Sequence, residues 1–433
     1  MKESIFNSVI KLGNNRLLIY NALSDRFLIL RDASSFRGIR NLYESSTSFA
    51  KQLCEIGTFI NDDKNEVSAV NDIIQRTDND DTFFMLHINP TLDCNFRCWY
   101  CYEKHLKGSM MQSDTLECLK KYIFRTFEKF PKLKKFHLAF FGGEPLMGFA
   151  SAVKPLIGTS SEKAAEKGID FAISFTSNGY LITPEIIEYL KQFNCAFQIT
   201  LDGGESAHNR VRYGKGGEES FRRIIDNIKR LAEADIRCVC RINYTSDNIE
   251  STESIYNAFD ELDGKKRKNL EIDFQRVWQD RPAFEYETER DVEIDNFVRK
   301  QIRRYEESGF RTSYYKPQGG IWNSCYADKR NHVLVNFNGD VFNCTARDFN
   351  TENRSGFLND VGKIEWKKEY MARRWNCKFI KKVCHKCRIA PLCGGGCRQQ
   401  AMEHYDSEQC IYGYTEEDKD YIVLNRFENL FVK

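Results

Sequence analysis

The chain has 433 residues, and its 64 Lys plus Arg against 62 Asp plus Glu leave a net charge of +2. Such a balance argues against a duplex nucleic-acid binder, which needs a large basic excess. Hydrophobic residues at 41% can fill the cores of two or three domains, and 26 Gly with 8 Pro exclude a collagen-like or broadly disordered chain. No apolar run is long enough to span a membrane. The opening MKESIFNSVIKLGNNR lacks the apolar stretch of a signal peptide, so a cytoplasmic enzyme is expected.

Residues 1–82 contain no proline and read as a small separate unit. FNSVIKL, RLLIYN and RFLILRD predict three short strands, with Gly13-Asn14-Asn15 and Ser24-Asp25 as the turns between them. Helices are expected over 35–57 and 66–76, on either side of a turn at Asn61-Asp62-Asp63. The plain role for this unit is a packing cap. From 83 to 309, strand and helix patterns alternate. Strands are expected over 83–90, 135–143, 171–179, 196–203, 236–245 and 270–278. Helices over 113–130, 150–167, 184–193, 219–234, 251–262 and 289–308 follow them. Such βα units imply a parallel sheet, doubly wound or curved into a partial barrel, with its chemistry at the C-terminal strand ends. Residues 310–433 have weaker periodicity and hold half of the 16 cysteines, so they are expected to need metal to fold.

The cysteines carry the chemical information. Without a secretion signal, tightly spaced cysteines more often bind metal than form disulfides. Cys94, Cys98 and Cys101 follow the first barrel strand directly, in the spacing C-x3-C-x2-C. Thiolates so close on one loop can converge on one iron–sulfur core, which takes four ligands to close. With three, one iron stays open to another ligand, as a catalytic metal requires. A zinc loop completed by a histidine such as His105 is the alternative, opposed by the lack of an H-x3-H pattern and by the Trp99-Tyr100 pair between ligands. The scattered Cys54, Cys118, Cys195, Cys238 and Cys240 read as small buried apolar residues.

The C-x3-C-x2-C run, with Tyr100 ahead of its last cysteine, resembles the signature of the radical S-adenosylmethionine (radical SAM) enzymes. Gly142-Gly143-Glu144-Pro145, at the end of the second strand, resembles the family's GGEP turn, which contacts the SAM amino group. Thr176-Ser177-Asn178-Gly179 resembles its ribose-contacting segment, and further motifs fall at Ile199-Thr200-Leu201-Asp202-Gly203 and Arg241-Ile242-Asn243. The resemblance implies a partial (β/α)6 barrel with a [4Fe–4S] cluster on Cys94, Cys98 and Cys101. It implies SAM contacts from Gly142, Gly143, Glu144, Pro145, Ser177, Asn178, Asp202 and Arg241. The implied reaction is reductive cleavage of SAM to a 5′-deoxyadenosyl radical that takes hydrogen from the substrate, with the electron supplied by a donor such as flavodoxin or ferredoxin.

A second cysteine pattern follows: Cys325-x13-Gly339-x4-Cys344, then Cys384-x2-Cys387-x5-Cys393-x3-Cys397, then Cys410. It resembles the SPASM domain, a C-terminal extension of some radical SAM enzymes that carries two auxiliary [4Fe–4S] clusters. A structural zinc ribbon is the plainer alternative. By the family's connectivity Cys384, Cys387, Cys393 and Cys410 would hold one cluster. Cys325, Cys344 and Cys397 would hold the other, one ligand short; either Cys377 or an open site completes it. Gly394-Gly395-Gly396 would let the backbone wrap closely, and Trp322, Trp366 and Trp375 are read as packing residues.

SPASM enzymes mostly act on peptides or proteins. The flanks Val341–Phe349 and Pro391–Cys397 look like those of maturases that modify ribosomally made precursor peptides (RiPP maturases). Residues 1–82 are similar in plan to the leader-recognition element of such enzymes, where an extended peptide adds to a sheet edge. The implied function is a post-translational modification of a precursor peptide, such as a crosslink. The runner-up is an anaerobic sulfatase maturase forming formylglycine. In that family an Asp directly follows the second SPASM cysteine as catalytic base; here Thr345 stands there, and Asp348 is the nearest downstream carboxylate. A non-catalytic iron–sulfur electron carrier, from another class, would need neither an open three-cysteine site nor a GGEP turn. No catalytic acid or base is identified, and no nucleic-acid or membrane partner is expected. The expected division is 1–82, a radical SAM core over 83–309 and a SPASM segment over 310–433, with 1–82 removable without loss of SAM cleavage.

Overall fold

The computed structural model describes residues 1–34, 36–277, 280, 289–313 and 324–431. Trp278, at the end of the sixth expected barrel strand, and Trp322 lie outside them. The chain divides into two compact units, one made of 1–80, 315–330 and 368–433 and the other of 81–314 and 331–367.

In the first unit β1 (Lys2–Glu3) pairs with β5 (Phe59–Ile60), while β2 (Asn7–Leu12), β3 (Arg16–Asn21) and β4 (Arg26–Leu30) form an antiparallel sheet. Its turns place Asn14, Asn15 and Asp25 at φ of 60°, 54° and 57°, a backbone region that Asn and Asp tolerate. The helix expected over 35–57 is two, Ile39–Ser45 and Thr47–Glu55, because Ser46 is extended and caps the second through the Phe49 N–H. A third helix, Glu66–Asp78, starts on an Asn65 cap.

One side of these elements encloses a core of its own, with Leu17, Ile19, Leu30, Ile39, Leu53 and Phe59; the other side does not. Phe6, Ile10, Leu18, Tyr20, Val70 and Ile73 pack into one cluster with Phe379, Ile389, Leu392 and Val423 of the cysteine-rich segment. Val423 belongs to the helix Glu416–Phe431, which hydrophobic spacing did not reveal. Buried Arg398 adds an ionic tie, 2.5 Å from Asp78 and 3.7 Å from Asp328.

The second unit holds β6 (Phe83–Asn89), β7 (Lys135–Phe140), β8 (Asp170–Ser177), β9 (Asn194–Asp202), β10 (Arg237–Tyr244) and β11 (Leu270–Arg276), each within or close to its expected run. They pair in parallel in chain order and form the partial (β/α)6 barrel. Alternate residues such as Phe84, Leu86 and Ile88, Phe136 and Leu138, and Ile173 and Phe175 join one large core with the surrounding helices. Cys195, Cys238 and Cys240 are buried in that core, as expected of small apolar residues.

Beyond β12 (Arg311–Thr312), the sheet grows from its other edge. There β13 (His332–Asn336) runs parallel beside β6, and β14 (Asp340–Phe342), β15 (Gly356–Leu358) and β16 (Ile364–Trp366) follow antiparallel. Residues 331–367, expected within the cysteine-rich segment, thus continue the barrel sheet. Polar side chains alternate with the core residues along these strands. His87 Nδ1 lies 2.8 Å from His332 Nε2, and His137 Nε2 lies 2.9 Å from Ser174 Oγ. Burial pushes His87 down to about 3 and His137 to about 4, so both are neutral at physiological pH. Among the described residues no helix is long and apolar enough to cross a membrane.

Candidate functional site

β6 ends at Asn89, and the loop after it carries Cys94 buried, Cys98 half-buried and Cys101 exposed, all three as free thiols. Burial first, and then the nearby Glu144, push the Cys94 thiol up to about 12; Cys98 and Cys101 lie close enough to add to the shift. Asn178 Nδ2 donates to Asn95 Oδ1 at 2.7 Å and sits 3.8 Å from Cys94 Sγ. His105 Nε2 is 3.5 Å from Cys101 Sγ. Three thiols on one loop form a donor set that fits an iron–sulfur cluster with one open iron.

Tyr100, between the second and third cysteines, is held from the barrel. Its Oη lies 2.8 and 2.6 Å from the two carboxylate oxygens of Asp202, at the end of β9. Arg212 Nη2 donates to the same Oη at 2.6 Å, Asn243 Nδ2 donates at 3.1 Å, and Arg212 Nε also donates to Asp202. Arg241 Nε reaches Asn243 Oδ1 at 3.2 Å. Asp202 and Arg241, singled out in the sequence, therefore meet in one network around Tyr100. Arg212 was missed because nothing in its spacing separates it from Arg210.

The GGEP turn braces the same loop. Gly142 and Gly143 have φ of 78° and 38°. A Cβ on Gly143 would meet the Asp93 carbonyl oxygen at 2.0 Å, and one on Gly142 would meet the Asn89 side chain at 2.6 Å, so only glycine fits either position. The Glu144 N–H donates to Asp93 O at 2.9 Å, and the Gly143 N–H donates to Glu103 Oε2 at 2.7 Å. The Glu144 side chain is fully buried and accepts from Leu146 N at 3.0 Å, Ser177 Oγ at 2.9 Å and Asn178 N at 2.8 Å. Burial raises Glu144 and Glu103 to about 7. Glu144, Ser177 and Asn178 are thus brought together as a brace between the ends of β7 and β8. Pro145, also buried, opens the short helical turn Pro145–Gly148.

In the first unit Cys384, Cys387, Cys393 and Cys410 line one cavity, together with Gly395, Gly396, Tyr412, Tyr414 and Lys419. Gly394, Gly395 and Gly396 have φ of 60°, 86° and 80°, and a Cβ on Gly395 would meet the Phe379 backbone at 2.6 Å. Burial pushes Cys393 up to about 12 and Cys384 to about 11. Among the described residues no three His, Cys, Asp or Glu side chains converge as they would on a single ion. Four thiols around a wider space fit a cluster by donor chemistry.

Cys397 does not line this cavity. Cys377 is buried, and its thiol donates to Arg374 O at 3.0 Å. Cys325 and Cys397 belong to the first unit and Cys344 to the second. Asp348, near Cys344, pairs with Lys104 at 2.8 Å. Trp375 packs under Arg330 and Arg398, whereas Trp366 is 38% exposed.

Residues 88–260 match the Radical SAM superfamily. The chain carries a radical SAM domain. Such a domain implies an enzyme with a SAM-binding [4Fe–4S] cluster, and the thiols of Cys94, Cys98 and Cys101 lie within the matched segment. The chain is 25% identical over 324 residues to the radical SAM cyclopropyl synthase TigE of Paramaledivibacter caminithermalis, covering 70% of this chain and 64% of TigE. It is 23% identical over 361 residues to a cysteine-type anaerobic sulfatase-maturating enzyme of Clostridium perfringens, covering 76% and 92%. The crystal structure of Streptococcus suis SuiB bound to S-adenosylmethionine has the same fold, with a TM-score of 0.51 at 16% identity over 96% of this chain and 98% of SuiB. The radical SAM domain is thus similar in sequence to a cyclopropyl synthase and to sulfatase-maturating enzymes, on a fold shared with SuiB.

Proposed function

We propose that this radical SAM enzyme is a maturase that installs a crosslink in a ribosomally made precursor peptide. The observation that carries the reading is the first unit, which joins a small antiparallel sheet to the four-thiol cavity. Among the described residues β4 pairs only with β3, so its outer edge has backbone groups available to an extended leader. Ile29 on this strand is 39% exposed. Support also comes from SuiB, whose fold covers nearly the whole chain and which has been solved with its precursor peptide SuiA.

The cluster and SAM, when bound, supply a hydrogen-abstracting radical. Cys94, Cys98 and Cys101 would hold that cluster, while Gly142, Gly143, Glu144, Pro145, Ser177, Asn178, Asp202 and Arg241 would shape the SAM site around it. Glu144 and Tyr100 fix the loop from two sides, so that little reorganisation is left when the cofactor binds. Neutral His87 and His137 offer hydrogen bonds without charge. Cys384, Cys387, Cys393 and Cys410 would hold one auxiliary cluster, and Cys325 and Cys397 of the same unit would contribute to another. A flavodoxin or ferredoxin would deliver the electron, and the cytoplasm is the proposed location.

The test is to incubate the anaerobically reconstituted protein, reductant and SAM with short peptides encoded beside its gene. A crosslink appears as a mass loss of one hydrogen pair. Ile29→Asp should weaken leader binding while SAM cleavage without peptide persists; unchanged binding would return the sheet to a packing role. The sulfatase-maturating reading draws on the Clostridium perfringens relative and on Asp348, which the Lys104 pair holds near the exit of the cysteine loop. Conversion of a sulfatase-derived peptide to formylglycine, abolished by Asp348→Asn, would favour that reading instead.

A further inference from the structure

The segment Arg212-Tyr213-Gly214-Lys215 leaves the helix Glu205–Val211 and crosses the cysteine loop. It touches that loop in three places. Arg212 donates to Tyr100 Oη at 2.6 Å and to Asp202 behind it. Gly214 forms an isolated antiparallel bridge with Phe96, which is 1% exposed. Lys215 Nζ donates to Asp93 Oδ1 at 3.1 Å.

The attachment points are residues 93, 96 and 100, so they interleave with Cys94, Cys98 and Cys101. Asp93 is itself a junction. Its side chain accepts from Cys94 N at 2.8 Å and Gly108 N at 3.0 Å, and its carbonyl accepts from Glu144 N at 2.9 Å. The crossing segment is internally stiff: Gly214 N donates to Glu218 O at 3.0 Å, Gly217 N to Gly214 O at 2.9 Å and Gly216 N to Glu218 Oε2 at 3.0 Å.

We infer that residues 212–215 are a clasp on the cysteine loop and that Lys215 is a positioning residue for the SAM-binding cluster, acting through Asp93 on the Cys94 end. The inference rests on the assignment of that cluster to Cys94, Cys98 and Cys101. Lys215 touches no thiol, and its side chain is 43% exposed, so its removal leaves the barrel core intact. What changes is the freedom of the loop between the GGEP turn and the first cysteine.

The experiment uses the reconstituted holoenzyme. The fraction of the reduced-cluster electron paramagnetic resonance signal that shifts on adding SAM reports the cluster at this site. Its decay in a chelator reports how firmly the loop holds iron. Lys215→Met should speed that decay by about two- to five-fold, the range expected for a half-exposed ion pair, with an unchanged melting temperature. Lys215→Arg should restore the wild-type rate. Adding Lys215→Met to Asp93→Asn should have little further effect, because the pair is already broken. If the wild-type SAM-responsive signal decays at the rate seen in Lys215→Met, the clasp is overturned. If the wild type shows no SAM-responsive signal, or keeps it when Cys94, Cys98 and Cys101 are replaced, the underlying assignment fails instead.

Discussion

The two groups of thiols sit in contrasting surroundings. Cys94, Cys98 and Cys101 lie on a loop braced by Asp93, Tyr100, Glu144 and Arg212, at the edge of a barrel with a large apolar core of its own. Cys384, Cys387, Cys393 and Cys410 line a cavity in a segment of short helices and turns, whose apolar core is shared with residues 1–80. The first site is shaped by side chains before any iron arrives. In the second, short helices and turns bring the thiols together, and iron is expected to supply much of the folding energy.

The sharpest way to break this contrast is to remove ligands from each site. Cys384→Ala with Cys387→Ala should unfold the first unit, seen as protease cleavage within both 368–433 and 1–80. Replacing Cys94, Cys98 and Cys101 with Ala should remove about four iron and abolish SAM cleavage, while the barrel melts as before. Equal damage from both changes would erase the distinction.

The shared core gives the next effect. Phe6 is fully buried against the cysteine-rich segment, so Phe6→Ala should cost about 3–5 kcal/mol in urea unfolding of that unit. For the same reason, removal of residues 1–80 should lower iron content as well as peptide binding, an iron loss that adds to the expectation from the sequence of weaker peptide binding with SAM cleavage largely intact in the absence of substrate. Full iron loading of the truncated chain would remove this effect of the shared core. Within the braced site, Glu144→Ala strands the N–H groups of Leu146 and Asn178 and the Ser177 hydroxyl. It should cost about 3 kcal/mol, measured by barrel unfolding, and should reduce SAM affinity.

The smallest effect is on pH dependence. Burial pushes the Cys94 thiol, in the barrel unit, up to about 12, whereas an unfolded thiol ionises near about 8.5. The folded metal-free barrel therefore keeps this proton while the unfolded chain loses it. Its stability is full below about pH 8.5 and falls as pH rises toward the folded value, by about 2 kcal/mol at pH 10. Urea titrations at pH 7 and 10 should show this loss in the metal-free protein only, because iron holds the ligands as thiolates in the loaded one.

Legibility in the sequence followed the range of the interactions. Turn residues and apolar alternation marked the barrel strands and the three N-terminal strands, because a strand must bury one face wherever it lies. Cysteine spacing marked the three-cysteine loop, because ligands on one loop converge through local backbone alone; that Cys410 rather than Cys397 joins the second group came only with the family resemblance. The division at Ser46 was missed because a cap forms on a single side chain inside an otherwise helical stretch.

What sequence spacing determined by itself was the parallel sheet and the three-cysteine loop at the end of its first strand; the barrel and the four-thiol set near the C-terminus came with the family resemblance. Tertiary structure alone decided that 331–367 extend the barrel sheet, since HVLVN reads as a strand anywhere but pairs with β6 only in the folded unit. It alone decided that residues 1–80 share their core with 368–433, that Glu144 is spent on Ser177 and Asn178, and that Arg212 and Lys215 reach Tyr100 and Asp93 from more than a hundred residues away. Contacts at that separation leave no periodicity and no spacing, because each depends on where two distant segments happen to meet once their own local structure has formed.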